Sequence, residues 1–147
     1  MIRLYIAAAV IVAGATAVLA QSDPVKTRQD LMKGNEDGAT VLFRMTRGEV
    51  PFDAAKVNAA YKQMEDTAKQ LPGLFPDNIK GGSGNNRASP KIWENKADFA
   101  AKNAQFAKAI SDHKDKVGTL DGLKAAFGSL DKACGDCHQP YRLSRRR

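Results

Sequence analysis

The chain is 147 residues long, 43% hydrophobic and 27% charged, with a formal net charge of +7 from 23 Lys and Arg against 16 Asp and Glu. That length holds one domain around a single core and excludes a large multidomain assembly. The cations are spread through every segment and interleaved with carboxylates, the pattern of solvated helix faces, which excludes a concentrated nucleic-acid-binding surface. Arg145-Arg146-Arg147 is the exception, a short basic tail that could meet an acidic partner or fray.

Met1 to Ala20 has a basic residue at Arg3, an apolar run through Ile11 and Val12, and the small-residue ending Val18-Leu19-Ala20. This is the pattern of a secretory signal peptide cut before Gln21. An uncleaved anchor is the alternative, because the apolar stretch approaches the lower length limit for crossing a bilayer. Cleavage leaves 127 residues, 21–147, with a formal charge of +6, since Arg3 is the one charged residue removed.

Four helices can be placed by period and punctuation. The first follows Asp23-Pro24, a cap residue with Pro at the first helical position, and runs to about Arg47 before Gly48, with Val25, Met32, Ala39 and Leu42 inward. The second starts after Pro51-Phe52-Asp53, spaces Val57, Tyr61, Met64, Ala68 and Leu71 by fours and threes, and stops at Pro72-Gly73. Between Pro72 and Pro90 lies a connection containing Lys80-Gly81-Gly82-Ser83-Gly84-Asn85-Asn86. It lacks the phosphate-loop pattern and any preceding strand, so a flexible crossing loop is expected.

The third helix is expected to open at Ser89-Pro90, carry Ile92, Trp93, Phe99, Phe106 and Ile110 inward, and end near Gly118. The fourth steps through Leu120, Leu123, Phe127, Leu130, Cys134, Cys137 and Tyr141, putting both cysteines on its buried seam. Pro140 interrupts its last turn. No segment alternates with period two. The fold class is therefore all-α, an antiparallel up-down-up-down four-helix bundle with one longer connection between helices two and three.

Cys134-Gly135-Asp136-Cys137-His138 has the spacing of a c-type haem attachment site. Two thiols at i and i+3 lie one turn apart on one helix face, within reach of one porphyrin edge, and the adjacent His138 can turn its imidazole to the iron. A redox-active Cys pair belongs near a βαβ pattern and at a helix start, neither of which is present here. A structural zinc site needs four ligands, and the chain has two Cys and two His, with His113 far from the motif. His113 sits among Asp112, Lys114 and Asp115, the surroundings of a solvated face. In the bundle, helices one and four run in opposite directions. Met32, about eight residues or roughly 12 Å into the first helix, then falls at the level of His138, and the haem is expected near the C-terminal end of helix four.

The chain resembles the class II c-type cytochromes, the cytochrome c′ family, and within it the low-spin cytochrome c-556 branch. The resemblance rests on Arg28-Gln-Asp-Leu-Met32, Arg47-Gly48 before Pro51-Phe52, Pro90-Lys-Ile-Trp93, and Ala133-Cys134-Gly-Asp-Cys137-His138-Gln-Pro-Tyr141-Arg142. It implies haem c, one per chain, held covalently by Cys134 and Cys137, with His138 and Met32 as iron ligands and Arg28 at a haem propionate. High-spin relatives have a non-ligating apolar residue at the position of Met32. Met45 and Met64 are expected as core fillers, Trp93 and Tyr141 as packing residues.

These readings give a periplasmic one-electron carrier rather than an enzyme, since no acid, base or nucleophile constellation accompanies the motif. Its expected partners are redox proteins, with no nucleic acid and no stable membrane association after signal cleavage, and with room for a homodimer. The competing function is a five-coordinate binder of diatomic gases, NO or CO.

Overall fold

Asp23 opens the bundle by accepting the Val25 N–H on its carboxylate (2.9 Å), which satisfies one free donor at the start of α1, Pro24–Thr46. Gly48, at φ 72°, turns the chain out of that helix in a conformation other residues adopt at a cost. This description comes from a computed structural model and covers residues 23–80 and 86–144. The expected signal peptide, the centre of the Gly-rich connection and the triple-Arg tail lie outside the described residues.

Asp53 repeats the device for α2, Ala54–Gln70, accepting the Lys56 N–H at 3.1 Å. Two single-turn 3-10 helices follow, Leu71–Leu74 and Asp77–Ile79. The expected third helix is broken. One turn, α3 (Lys91–Glu94), is separated by Asn95 from α4 (Lys96–Ser111). Asn95 leaves helical geometry at φ −127° and ψ 54°, ending α3 with its N–H on the Lys91 carbonyl and starting α4 with its own carbonyl on the Phe99 N–H. Trp93 holds the displaced turn in place, its indole N–H shared between the carbonyls of Phe75 and Pro76, both at 3.2 Å. Turns 112–118 lead to α5, Leu120–Tyr141, whose N-cap Thr119 accepts the Gly122 N–H. Pro140 lies inside α5 without ending it, because the Arg142 N–H still reaches the His138 carbonyl.

The four long helices pack as a ring: α1 on α2, α2 on α4, α4 on α5, and α5 back on α1. Along the first seam the Gln63 amide donates to the Leu31 carbonyl, while Gly38 meets Ala60. Rising numbers on α1 face falling numbers on α2, so the two are antiparallel. Leu42, Met45, Met64, Ile110, Leu123 and Leu130 are almost wholly withdrawn from water at the centre. A fully buried side chain of this kind contributes roughly 1.5–3 kcal/mol. Among the described residues no helix is long and apolar enough to cross a membrane.

Two glycines of α5 separate close approach from mere helix propensity. A Cβ at Gly122 would stand 1.9 Å from the Lys116 carbonyl oxygen, whereas one at Gly128 would meet nothing within 4 Å. Gly122→Ala should therefore lower unfolding stability by at least about 2 kcal/mol as backbone shifts to make room. Gly128→Ala should raise it by about 0.5–1 kcal/mol, read by urea denaturation of both variants. Equal effects at the two positions would contradict this packing.

Candidate functional site: a haem-attachment motif between two clusters

The last three turns of α5 bring Cys134, Cys137 and His138 to one end of the bundle, each half-buried. Cys134 packs against the central core. Cys137 packs against a second cluster, built from Ala88, Ile92, Phe99 and Tyr141 with Phe75 and Trp93 alongside. The cysteines thus sit at the junction of the two clusters, half-exposed, not deep in the expected seam. The buried positions of α5 are Leu123, Leu130 and Tyr141 of the expected stripe, together with Ala126 and Ala133 beside Phe127 and Cys134.

Neither cysteine is in a disulfide. Burial pushes the Cys134 thiol up to about 11 and raises Cys137 as well. A dithiol exchange centre needs the opposite, a depressed thiol pKa. Burial first, and then the charges of Arg142 and Arg87, lower the His138 pKa and favour the neutral imidazole, the form that offers a lone pair to a metal. Among the described residues no group of three or more His, Cys, Asp or Glu could hold a metal ion by itself.

Met32 behaves unlike its neighbours in kind. Met45 and Met64 are 1% exposed inside the central core, as core fillers should be, while Met32 is half-buried and belongs to neither cluster. Its height follows from one ring contact. Phe43 of α1 stacks on Phe127 of α5 with centroids 5.9 Å apart. Met32 lies eleven residues before Phe43 and His138 eleven after Phe127, both along uninterrupted helix. In an antiparallel pair each step is about 16 Å in the same direction, so the two side chains stem from the same level of the bundle.

Arg28 is 7% exposed. Its guanidinium donates to the Leu74 carbonyl (2.6 Å) and to Asn86 Oδ1 (2.8 Å), and lies over the Phe75 ring at 4.3 Å. Burial pulls its pKa down, offset by Asp23. All of these contacts are to neutral groups. A cation taken this far out of water is best matched by an anion, and among the described residues no carboxylate touches it.

Sequence reasoning missed what fixes this end of the bundle. Phe75, Phe99 and Tyr141 meet edge to face, with centroids 4.7 and 5.2 Å apart, and the Tyr141 hydroxyl donates to Asp98. The chain before α3 pairs with the chain after α5: Ser89 N–H to the Tyr141 carbonyl, Leu143 N–H to the Arg87 carbonyl, and Arg87 Nε to the Leu143 carbonyl. This clamp is a single antiparallel bridge, Ala88 to Arg142, too short to leave a periodic signal. Trp93 serves it by packing. His113 lies far from it, half-buried in the turns after α4.

The donor set as a whole fits a covalently attached haem. Two thiols stand one turn apart, a neutral imidazole follows the second, a thioether sits at the same height on the facing helix, and a buried guanidinium lacks a carboxylate. Comparison with known proteins agrees. Residues 23–142 match the cytochrome c′ family. Cytochrome c-556 of Rhodopseudomonas palustris is 46% identical over 145 residues, 97% of either chain. The structure of oxidized R. palustris cytochrome c556 superposes with a TM-score of 0.77 at 44% identity, over 86% of this chain and all of that one. A nitric oxide complex of a substituted cytochrome c′ from Alcaligenes xylosoxidans gives a TM-score of 0.73 at 29% identity, over 84% of this chain and 95% of that one. The chain belongs to the cytochrome c′ family and, as a member, carries covalently bound haem c.

Proposed function

We propose that this protein is a periplasmic one-electron carrier in which Cys134 and Cys137 hold the haem, His138 and Met32 ligate its iron, and Arg28 pairs with a propionate. The observation that carries the reading is the common level of Met32 and His138, together with the exclusion of Met32 from both apolar clusters. When bound, the haem supplies an iron that cycles between ferric and ferrous. The chain's residues then hold two ligands in place through both states. With His138 and Met32 as ligands, a thioether paired with an imidazole would favour the reduced state, and two side-chain ligands would leave no position for a substrate. Arg28, already fixed by Leu74 and Asn86, offers its charge without further ordering. The N-terminal pattern of Met1 to Ala20 supports export.

A second reading, binding of a diatomic gas, is favoured by the similar cytochrome c′ solved with nitric oxide. It requires Met32 to be off the iron or readily displaced.

Three measurements follow. The purified protein should have the mass of a chain beginning at Gln21 plus one haem, and should keep its colour through acid-acetone extraction. Loss of the haem there, or a Cys134–Cys137 disulfide, would refute covalent attachment. Optical spectra should show low-spin iron in both oxidation states, a near-infrared sulfur-to-iron band in the ferric form, and slow carbon monoxide binding in the ferrous form. Met32→Ala should remove that band, admit carbon monoxide, and lower the midpoint potential on the order of 100 mV, well inside the ~0.8 V range that axial ligands span. Met45→Leu and Met64→Leu should change none of this; a high-spin wild-type spectrum would transfer the function to gas binding. Finally, Arg28→Leu removes a positive charge and should lower the potential by roughly tens of millivolts and alter its pH dependence with both ligands kept. An unchanged potential at every pH would rule out the propionate pairing.

A further inference from the structure

The charges of this protein are distributed unequally between the sides of the bundle and its haem-motif end. Along the sides, Lys33, Lys62 and Lys108 each pair with an Asp four residues on, at 2.7–2.8 Å. These ladders cancel much of the basic charge locally. Around the attachment motif the pattern changes. Arg87, Lys91, Lys102 and Arg142 have no carboxylate partner among the described residues, and none of the four is fully buried.

The backbone that carries them is held in place. Arg87 and Arg142 flank the backbone clamp that ties residues 87–89 to 141–143, one turn beyond His138, and Arg87 is further fixed by its bond to the Leu143 carbonyl. Lys91 begins α3, its N–H on Ser89 Oγ of the same clamp. Lys102 stands one turn along α4 from Asp98, which accepts from Tyr141, so it lies on the face of α4 turned to the last turns of α5. Of the carboxylates near this end, Asp30 is paired with Lys26, Asp77 with Lys96 and Asp136 with Lys132, while Asp98 accepts from the neutral Tyr141 hydroxyl and keeps its charge, which leaves Glu94, Asp98 and Asp131 to oppose four cations. The other unpaired exposed lysines, Lys116 and Lys124, lie at the opposite end, before and within the first turns of α5.

We propose that the surface around His138 lined by Arg87, Lys91, Lys102 and Arg142 is the docking face for an acidic one-electron redox protein, whose carboxylates surround its own redox centre. Unpaired charges of one sign carried on one face steer an oppositely charged partner and orient it, at a rate that falls with salt. The exchange moves one electron between the two centres, one oxidised as the other is reduced, with no bond made or broken. The partner's identity as a redox protein rests on the electron-carrier reading; the face itself rests on the charge distribution.

A gold electrode bearing a carboxylate-terminated alkanethiol monolayer serves as the acidic partner. At about 0.01 M ionic strength, where the Debye length is about 30 Å, the holoprotein should adsorb and give a reversible one-electron wave. About 0.5 M salt should remove most of it, and an amine-terminated monolayer should give little. Lys102→Glu and Arg142→Glu should each reduce the wave several-fold. Lys116→Glu and Lys124→Glu, which change net charge by the same amount, should stay within about twofold of wild type. Equal losses in all four variants, or a wave indifferent to salt, would overturn the proposal, because net charge alone or no charge effect would then suffice. Iron coordination is read separately from the spectrum of the same samples. A high-spin spectrum with position-specific adsorption therefore counts against the carrier and for the face, and a low-spin spectrum with equal losses counts the other way.

Discussion

Everything at the functional end depends on α1 closing against α5. That contact closes into a ring four helices that α1–α2, α2–α4 and α4–α5 packing would otherwise leave as an open row, and it sets one register across the closing seam. Phe43 on Phe127 marks the register at one end. Helix geometry then carries it to the other, where the backbone of Met32 reaches the height of His138. A slip of one turn, about 5.4 Å, would move the thioether away from the imidazole while leaving most apolar burial intact. The seam between α1 and α2 opposes such a slip. Gly38 lets α1 approach Ala60 closely, and across the seam the buried Thr67 hydroxyl donates to Asn35 Oδ1, which has that partner in this register alone. Buried polar groups are satisfied in one register and left unpaired in its neighbours, at about 1–3 kcal/mol each.

The second cluster plays a different part. Phe75, Phe99 and Tyr141 fill the end of the bundle on the side of Cys137, while the clamp between residues 87–89 and 141–143 keeps the last turn of α5 from fraying. Helix ends fray readily because their carbonyls lack partners, and here the Tyr141 carbonyl has one in Ser89 N–H. His138 is thus carried on backbone held from both sides. Pro140, which removes a donor one turn after Asp136, is tolerated in the same place for the same reason.

Much of this was legible in the sequence, and the parts that were share a property: they are local. Asp23 before Pro24 and Asp53 at the start of α2 are caps whose bonds run two or three residues along the chain. The stripe from Leu123 to Tyr141 repeats with the helix. The attachment motif is local too, five residues long. What escaped was set by distant contacts. The break at Asn95 is held through Trp93, whose indole N–H meets the carbonyls of Phe75 and Pro76, 18 and 17 residues earlier. Arg28 finds Leu74 and Asn86 across 46 and 58 residues. The drift of the cysteines to the edge of the core arises because the innermost stripe of α5 runs through Ala126 and Ala133, small residues that periodicity alone ranks below Phe127 and Cys134.

The proposed ligation requires a sulfur atom of α1 to reach an iron held from α5. Proton magnetic resonance of the ferrous protein tests this most directly, because a methyl group bonded to a ligating sulfur lies over the porphyrin face and is shifted by its ring current. The prediction is a three-proton singlet far upfield of the ordinary methionine region, absent in Met32→Ala and present in Met45→Leu and Met64→Leu. A ferrous spectrum broadened by high-spin iron, with all methionine methyl signals near their usual positions, would contradict it.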